Sequence, residues 1–461
     1  PVRPDQRPAS LSSSDRWTTF RKPSDMITPH TRRRRGRTLA TAALAAAALT
    51  LSGCAPAEDE TPVLTWYTNP DDGGQATIAA ECTDAAQGRY AIQTSMLPNE
   101  ASAQREQLTR RLAAGDTSMD IMSLDPPFVP ELAEPGFLAP VPQQLQDHAK
   151  QNTLEGALAG ATWKDELVAV PFWANTQLLW YRKSVAEKAG LDMSKPVTWD
   201  QLMDAAAEQD KHLGVQGARA ESMTVWLNSL VVGGGDRILA NPEAPAEQVQ
   251  TTLDSEAGKK AAEIIGRIGD EGLGGPGLPT QRENEAMLQF QGEKGSFMVN
   301  WPFVWAATNA SVEDGSLPSD LPEDIGWTTY PRTDADHEAA PPLGGINLGV
   351  GAKSEHQAEA WDAISCITTK QHQADYFVTN GNPPANPAAY EDERIKDAYP
   401  MADEIRDSLD IAAPRPQTPY YNEVSTAIQQ RYAPPGTVDP ATTPAEASEF
   451  IEKVLRGERL L

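Results

Sequence analysis

Short strands alternating with helices, in an α/β architecture with largely parallel sheets, are what this sequence predicts. Two patterns carry the prediction. Apolar runs of five to eight residues alternate with longer stretches whose apolar positions recur at helical spacing. The breaks that follow the apolar runs are rich in Gly, Pro, Asn and Asp, as in "TNPDDGG" after "VLTWY", which marks strand ends and turns. The 461 residues are enough for two to three domains. In sheets of this kind, ligands collect beyond the carboxyl ends of the strands.

The elements follow in order. "VLTWY" (63–67) reads as a strand, "IAAECTDAAQ" as a helix and "YAIQTSML" as a second strand. "AQREQLTRRLAAG" is a helix with a glycine stop, and "MDIMSLD" is a third strand ending at Asp125. Residues 164–191 run from strand through loop to strand and then helix. "TWDQLMDAAAEQ" opens a helix with Thr198 as cap and Gln201 three residues on, the spacing of a capping box. "GSFMV" is a strand, and Pro302 just beyond it suits the first position of a helix, where its missing N–H costs nothing. Val299, Val304 and Trp305 then point inward, whereas Trp301 and Phe303 sit at the strand-to-helix junction. Gly/Pro-rich breaks at 233–236, 272–279 and 341–351 do not divide the chain into independent domains.

Composition narrows the function. Hydrophobic residues make up 39%, enough for a packed core, and the formal net charge is −26. Before Cys54 there are ten Lys/Arg against three Asp/Glu, a local +7, so the remainder carries 29 basic and 62 acidic residues, or −33. Such a field disfavours nucleic acid, whose binding rests on neutralising phosphates.

The acidic part follows an export address. Arg32 to Arg37 form a basic run, Leu39 to Leu51 an apolar stretch, and small residues lead to Cys54, the layout of a secretory signal. The apolar run falls short of the ~20 residues a membrane span needs. Residues 1–53 are therefore expected to be removed, and 54–62 to form a flexible leash. Two cysteines remain, Cys82 and Cys366. In an exported protein they favour a disulfide over a metal site, with two buried free thiols as the alternative.

Six stretches then appear in a recognisable order: "AAGDTSMDIMSLDPPFVPELAEPGFLAPV", "VPFWANTQLLWYRKSVAEKAGL", "PVTWDQLMDAA", "GEKGSFMVNWPF", "PPLGGINLGVGAKSEHQAEAWDAI" and "GNPPANPAAY". Together they resemble the extracytoplasmic sugar-binding proteins of bacterial ABC importers, over essentially the whole chain after the signal. "LSGC" resembles the bacterial lipobox, which would make Cys54 the lipidated first residue. "NTQLLWYR", "VNWPFVW", "GGINL" and "RPQTPYY", with both internal cysteines, are most similar to the trehalose-binding lipoproteins of actinobacterial importers.

The resemblance implies a two-lobed periplasmic-binding-protein fold of type II kind, each lobe a mostly parallel sheet flanked by helices, with the ligand in the cleft. It places 63–172 in the first lobe and 173–303 in the second. Residues 304–375 are assigned mainly to the first lobe, and 376–461 mainly to the second with the C-terminal helices. A bridge between Cys82 and Cys366 fits a chain that crosses between lobes more than once. The implied partners are a disaccharide, trehalose or another α-glucoside, and permease subunits with a separate ATPase. No cofactor or metal is implied. The protein is expected to be a monomer held to the outer face of the cell membrane through Cys54 alone.

Sugars present hydroxyl pairs that need polar partners and C–H faces that prefer aromatic rings. Asp125 suits a hydroxyl pair through charge-assisted bonds, though "DPP" also suits a turn aspartate. Asn175 both donates and accepts, with an Asx turn as the alternative. Glu283 opens a helix where a carboxylate also suits the dipole; the spacing to "NWPF" in the resembling family favours it over Glu285. Arg415 in a Pro-rich loop offers a fork for vicinal oxygens, or an inter-lobe salt bridge. Trp301 and Phe303 are the candidate ring platforms. Gly344 and Gly345, followed by Ile346, would let backbone amides approach a ligand. Asn69, Asp71 and Asp72 in the first loop complete the set.

For catalysis the sequence offers no HExxH, GxSxG, GxxxxGK[ST] or CxxC pattern. The abundance of carboxylates leaves an exported glycoside hydrolase as one alternative, and a lipid-anchored adhesion module as another.

Overall fold

The computed structural model of the chain describes residues 61–71 and 73–461. Cys54, the export segment and Asp72 lie outside the described residues. Nine strands build two sheets: β1 (Val63–Thr68), β2 (Ala91–Met96), β3 (Ile121–Leu124), β4 (Val170–Thr176), β5 (Leu178–Arg182), β6 (His212–Gly214), β7 (Gly295–Asn300), β8 (Ile325–Thr328) and β9 (Leu343–Gly349). The first sheet has the order β2-β1-β3-β9-β4, the second β8-β5-β7-β6. The helices that bear on the site are α1 (Gly74–Ala86), α2 (Ala101–Ala113), α3 (Trp199–Glu208), α4 (Glu221–Val232), α5 (Glu283–Gln291), α6 (Phe303–Glu313), α7 (Gln357–Ile367) and α8 (Tyr421–Tyr432).

Each sheet anchors one lobe. Leu64, Trp66, Ile121, Phe172 and Leu348 build the core of the first. In the second sheet alternation sorts the faces. Leu179, Phe297 and Val299 enter one core with Trp199 and Trp226. Leu178, Trp180 and Met298 enter another, with Phe377 and Tyr399. Val299 and Val304 are fully buried as expected, and Trp305 is half-buried, edge-on to Trp327.

The strand order corrects two expectations. Only β1–β2, β1–β3 and β6–β7 are parallel, whereas β9 runs antiparallel to β3 and β4, and β5 runs antiparallel to β7 and β8. The sheets are thus mixed, not mostly parallel. The reason lies in the crossings. β4, at the edge of the first sheet, passes through Gln177 alone into β5 of the second sheet, so the chain changes sheets here instead of returning through a crossover helix to a parallel neighbour in the same sheet. The second correction concerns 304–328, assigned to the first lobe by resemblance. Here α6 follows β7, and β8 pairs with β5 in the second sheet. The chain returns to the first sheet only at β9.

Local chemistry explains the element ends. Thr198 caps α3 through its side chain, and Gln201 bonds back, completing the capping box. α1 begins at Gly74, four residues earlier than the apolar run implies. The Asp71 carboxylate accepts from the N–H groups of Gly73 (3.1 Å) and Gln75 (2.8 Å) and so organises its first turn. Cys82 on α1 and Cys366 on α7 are joined by a disulfide, tying two helices on the flank of the first lobe.

Candidate functional site

Strand ends and helix starts from both lobes converge on a cavity of about 410 Å³, within the ~300–1,000 Å³ of small-molecule sites. Asn69, Asp125, Asn175, Glu283, Trp301, Phe303, Gly344, Gly345, Ile346 and Arg415 all line it. Asp71 does not, because its carboxylate is engaged at the start of α1 and its charge faces the Tyr376 hydroxyl. That aspartate therefore acts in structure.

The strand-to-helix junction is built by a residue the sequence reading passed over. Asn300 ends β7 and is fully buried. Its carboxamide accepts from the Trp301 N–H at 2.9 Å and donates to the Glu283 carbonyl at 2.8 Å. One side chain thus fixes the indole and the first residue of α5 relative to each other. Glu285 accepts from the Arg282 N–H at 3.0 Å and caps the helix. Glu283 is left facing the cavity, and its burial pushes the carboxyl above the usual glutamate range.

The wall opposite Trp301 is the β4–β9 pair, where Asn175 stands across from Gly344 and Trp173 from Ile346. Trp173 and Asn175, two residues apart, share the cavity face. A Cβ on Gly344 would lie 3.1 Å from Cη2 and Cζ3 of Trp301, so the bare glycine makes room for the indole. Gly345 has φ +114° and a Cβ there would lie 2.3 Å from the Trp173 carbonyl oxygen, so no other residue fits. Gly344 seats the Trp301 ring against the strand pair, and Gly345 lets the backbone of Trp173 and Ala174 pass close by. Asn175 accepts from the Thr176 N–H at 3.0 Å, which leaves its NH₂ toward the cavity.

Arg415 occupies the floor at 4% exposure. Its Nη2 donates to Asp125 Oδ1 at 2.6 Å and its Nη1 to Glu221 Oε1 at 2.7 Å. Asp125 follows β3 of the first lobe, and Glu221 opens α4 of the second, so the guanidinium bridges the lobes. Two of its five N–H donors go to the two carboxylates, which realises the salt-bridge alternative, and its buried Nε has no partner. Burial raises the Asp125 carboxyl, Arg415 opposes the rise, and the Glu221 charge adds to it. Glu221 also accepts from the hydroxyls of Tyr421 and Ser425.

Residues missed in the sequence are Glu221, Trp173, Asn300 and the cleft-lining Arg282, whose guanidinium pairs with Glu100 of the first lobe. "RAESM" reads as an ordinary acidic first turn, and nothing local ties Glu221 to an arginine 194 positions away. Trp173 did carry a signal, since it lies two residues before Asn175 in a strand. Several polar atoms on the walls have no protein partner: Trp173 Nε1, Ser222 Oγ, Asn69 Oδ1 and Arg415 Nε. Buried polar atoms are normally paired, so this arrangement suits a ligand with several hydroxyls. Among the described residues, His372 approaches Cys82 and Cys366. Both sulfurs are in the disulfide and the imidazole Nδ1 lies 2.7 Å from the Cys366 carbonyl, a geometry that does not suit a metal centre.

Comparison with known proteins agrees with this geometry. Residues 92–374 match the family described as bacterial extracellular solute-binding protein. A probable ABC transporter-binding protein of Deinococcus radiodurans is 26% identical over 365 residues, covering 73% of this chain and 80% of that one. The mannitol-binding protein of Pseudomonas aeruginosa is 24% identical over 246 residues, 52% of this chain and 54% of its own. The maltose-bound structure of T. maritima MalE3 superposes with a TM-score of 0.71 at 25% identity, covering 87% of this chain and all of that one.

Proposed function

Because the chain belongs to the bacterial extracellular solute-binding proteins, we propose that it captures a disaccharide, trehalose foremost, between its lobes and delivers it to the permease of an ABC importer. The observation that carries this reading is the cavity itself. Two indoles, Trp301 and Trp173, flank a set of carboxylates, carboxamides and one guanidinium drawn from both lobes. Rings accept the C–H faces of a sugar and the polar groups its hydroxyls. Asp125 and Glu283 accept from hydroxyls, the Asn175 NH₂ and Trp173 Nε1–H donate to them, and closure of the lobes removes water from the bonds. Lipidation of Cys54 would hold the protein at the membrane, and ATPase subunits of the importer would supply the energy.

Trehalose is favoured by the motifs quoted above. Maltose or another α-glucoside is the second reading, supported by the superposition on a maltose-bound structure. Calorimetry with trehalose, maltose and mannitol tests both: the reading expects saturable trehalose binding with no glucose released. Trp301→Ala should weaken binding at least tenfold, the loss of an aromatic platform. Absence of saturable binding to any of the three sugars would overturn the capture function. Glucose release would make the protein a hydrolase.

A further inference from the structure

Several helical hydroxyls in this chain turn back on their own helix. Thr83, Thr308 and Ser311 donate to the carbonyl four residues earlier, at 2.8, 2.7 and 2.9 Å, a common resting place for such groups. Ser222, second residue of α4, does not. The carbonyl four residues before it, that of Ala218, already accepts from the Ala220 N–H at 2.8 Å, and Ser222 Oγ is buried without a protein partner. The residue is 4% exposed and lines the cavity, where it carries the one hydroxyl among the described lining side chains. Glu221, Ser222 and Val225 share that wall, at the three- and four-residue spacings of one helix face. Thr224 faces the other way and pairs with the Ser425 hydroxyl at 2.8 Å.

The backbone of the same turn is also rich in donors. Ala220 stands where a helix prefers Ser, Thr, Asp or Asn, and it supplies no side-chain cap. The N–H groups of Glu221 and Ser222 have no acceptor among the described residues, and the helix dipole adds to their positive potential. The Glu221 carboxylate beside them is already engaged by Arg415 and by the Tyr421 and Ser425 hydroxyls. Donors are therefore what α4 has left to offer a ligand. Charge decides which oxygen they suit. Glu100, Asp125, Glu221 and Glu283 line the cavity, with Arg282 and Arg415 as its cations. That excess of carboxylates repels an anionic group, whereas a neutral hydroxyl oxygen accepts without adding charge.

We propose that Ser222 is a specificity-determining residue: its hydroxyl donates to one neutral hydroxyl of the sugar and gives α4 of the second lobe its direct hold on the ligand. The proposal rests on the sugar-capture reading and deepens it. Calorimetry on the whole protein compares wild type with Ser222→Ala, first with trehalose and maltose. The monodeoxy forms of whichever sugar binds more tightly follow, one hydroxyl removed at a time. Ser222→Ala should weaken binding by about threefold to tenfold, the range for one neutral hydrogen bond. One deoxy sugar should lose a similar factor against wild type and nothing further against Ser222→Ala, because both changes remove the same bond. The sugar-free melting temperature should hold or rise, since alanine removes a buried hydroxyl that has no partner; a structural role would lower it. Unchanged affinity, losses that multiply independently for every deoxy sugar, or a lowered sugar-free melting temperature overturns the assignment while sugar capture stands. If neither trehalose nor maltose binds, the capture reading fails and the role of Ser222 fails with it.

Discussion

Gly344→Ala is expected to weaken sugar binding while leaving the fold intact. An added Cβ would stand 3.1 Å from two atoms of the Trp301 ring and 3.7 Å from Asn175 Cβ. Carbon atoms prefer separations of ~3.5–4.0 Å, so the indole must retreat by roughly 0.4–0.9 Å. The Asn300 carboxamide, held between the Trp301 N–H and the Glu283 carbonyl, resists that retreat at the backbone, so the ring tilts away from the plane it offers a sugar. Spoiling an aromatic contact costs about 0.5–1.5 kcal/mol, or roughly 2–12-fold in Kd. Gly344 lies outside the left-handed region, and the backbone accepts alanine without strain. Calorimetry on wild type, Gly344→Ala, Trp301→Ala and the double variant isolates the effect, since the alanine should add nothing once the indole is gone. Gly345→Ala is the contrast: at φ +114° and 2.3 Å from a carbonyl oxygen it should lower the melting temperature instead. An unchanged Kd for Gly344→Ala, with an unchanged melting temperature, would refute the role of Trp301 as a ligand platform.

Three further outcomes are expected. Arg415→Ala removes the buried cation from the half-buried Asp125 and Glu221 carboxylates, Glu221 keeping the Tyr421 and Ser425 hydroxyls, and should lower stability by up to about 3 kcal/mol in urea unfolding; a loss below about 1 kcal/mol would mean the bridge contributes little. The Glu283 carboxyl is raised by burial, so the native chain binds more protons than the unfolded one and stability falls as pH rises through that window. Glu283→Gln should therefore raise the sugar-free melting temperature at neutral pH. Because hydroxyl donors favour the ionised carboxylate, wild-type affinity should also drop on acidification into the same window, more steeply than that of Glu283→Gln; parallel curves would assign the drop to Asp125. Reducing the Cys82–Cys366 bond, which spans 284 residues and does not line the cavity, should lower the melting temperature. Loop entropy sets a ceiling of about 5–6 kcal/mol on that loss, and the sugar Kd should not move.

Much of the site was legible because its residues sit at local punctuation. Asp125 ends an apolar run, Pro302 starts a helix, and Glu283 opens another, so their place at strand and helix ends follows from signals within a few residues. What those residues do was less legible. Arg415 read as a fork for sugar oxygens until Asp125 and Glu221 arrived from opposite lobes to take it up. That Gly344 also makes room for the Trp301 indole could not be read from its own loop. Asp71, in the same loop as Asn69, turned to the start of α1. The roles of Arg415 and Gly344 depend on partners tens to hundreds of residues away, whereas Asp71 bonds within its own turn.

The same division holds for the whole chain. Its periodicities and turn residues determined by themselves that strands alternate with helices, where most of them begin, and which loops carry polar groups. These are properties of hydrogen bonds and side-chain spacing over one or two turns of chain. Strand direction, the late return of β9 to the first sheet and the buried Arg415 bridge were decided only in the tertiary structure. They depend on which surfaces meet once both lobes have buried their apolar faces, and burial is settled by the chain as a whole.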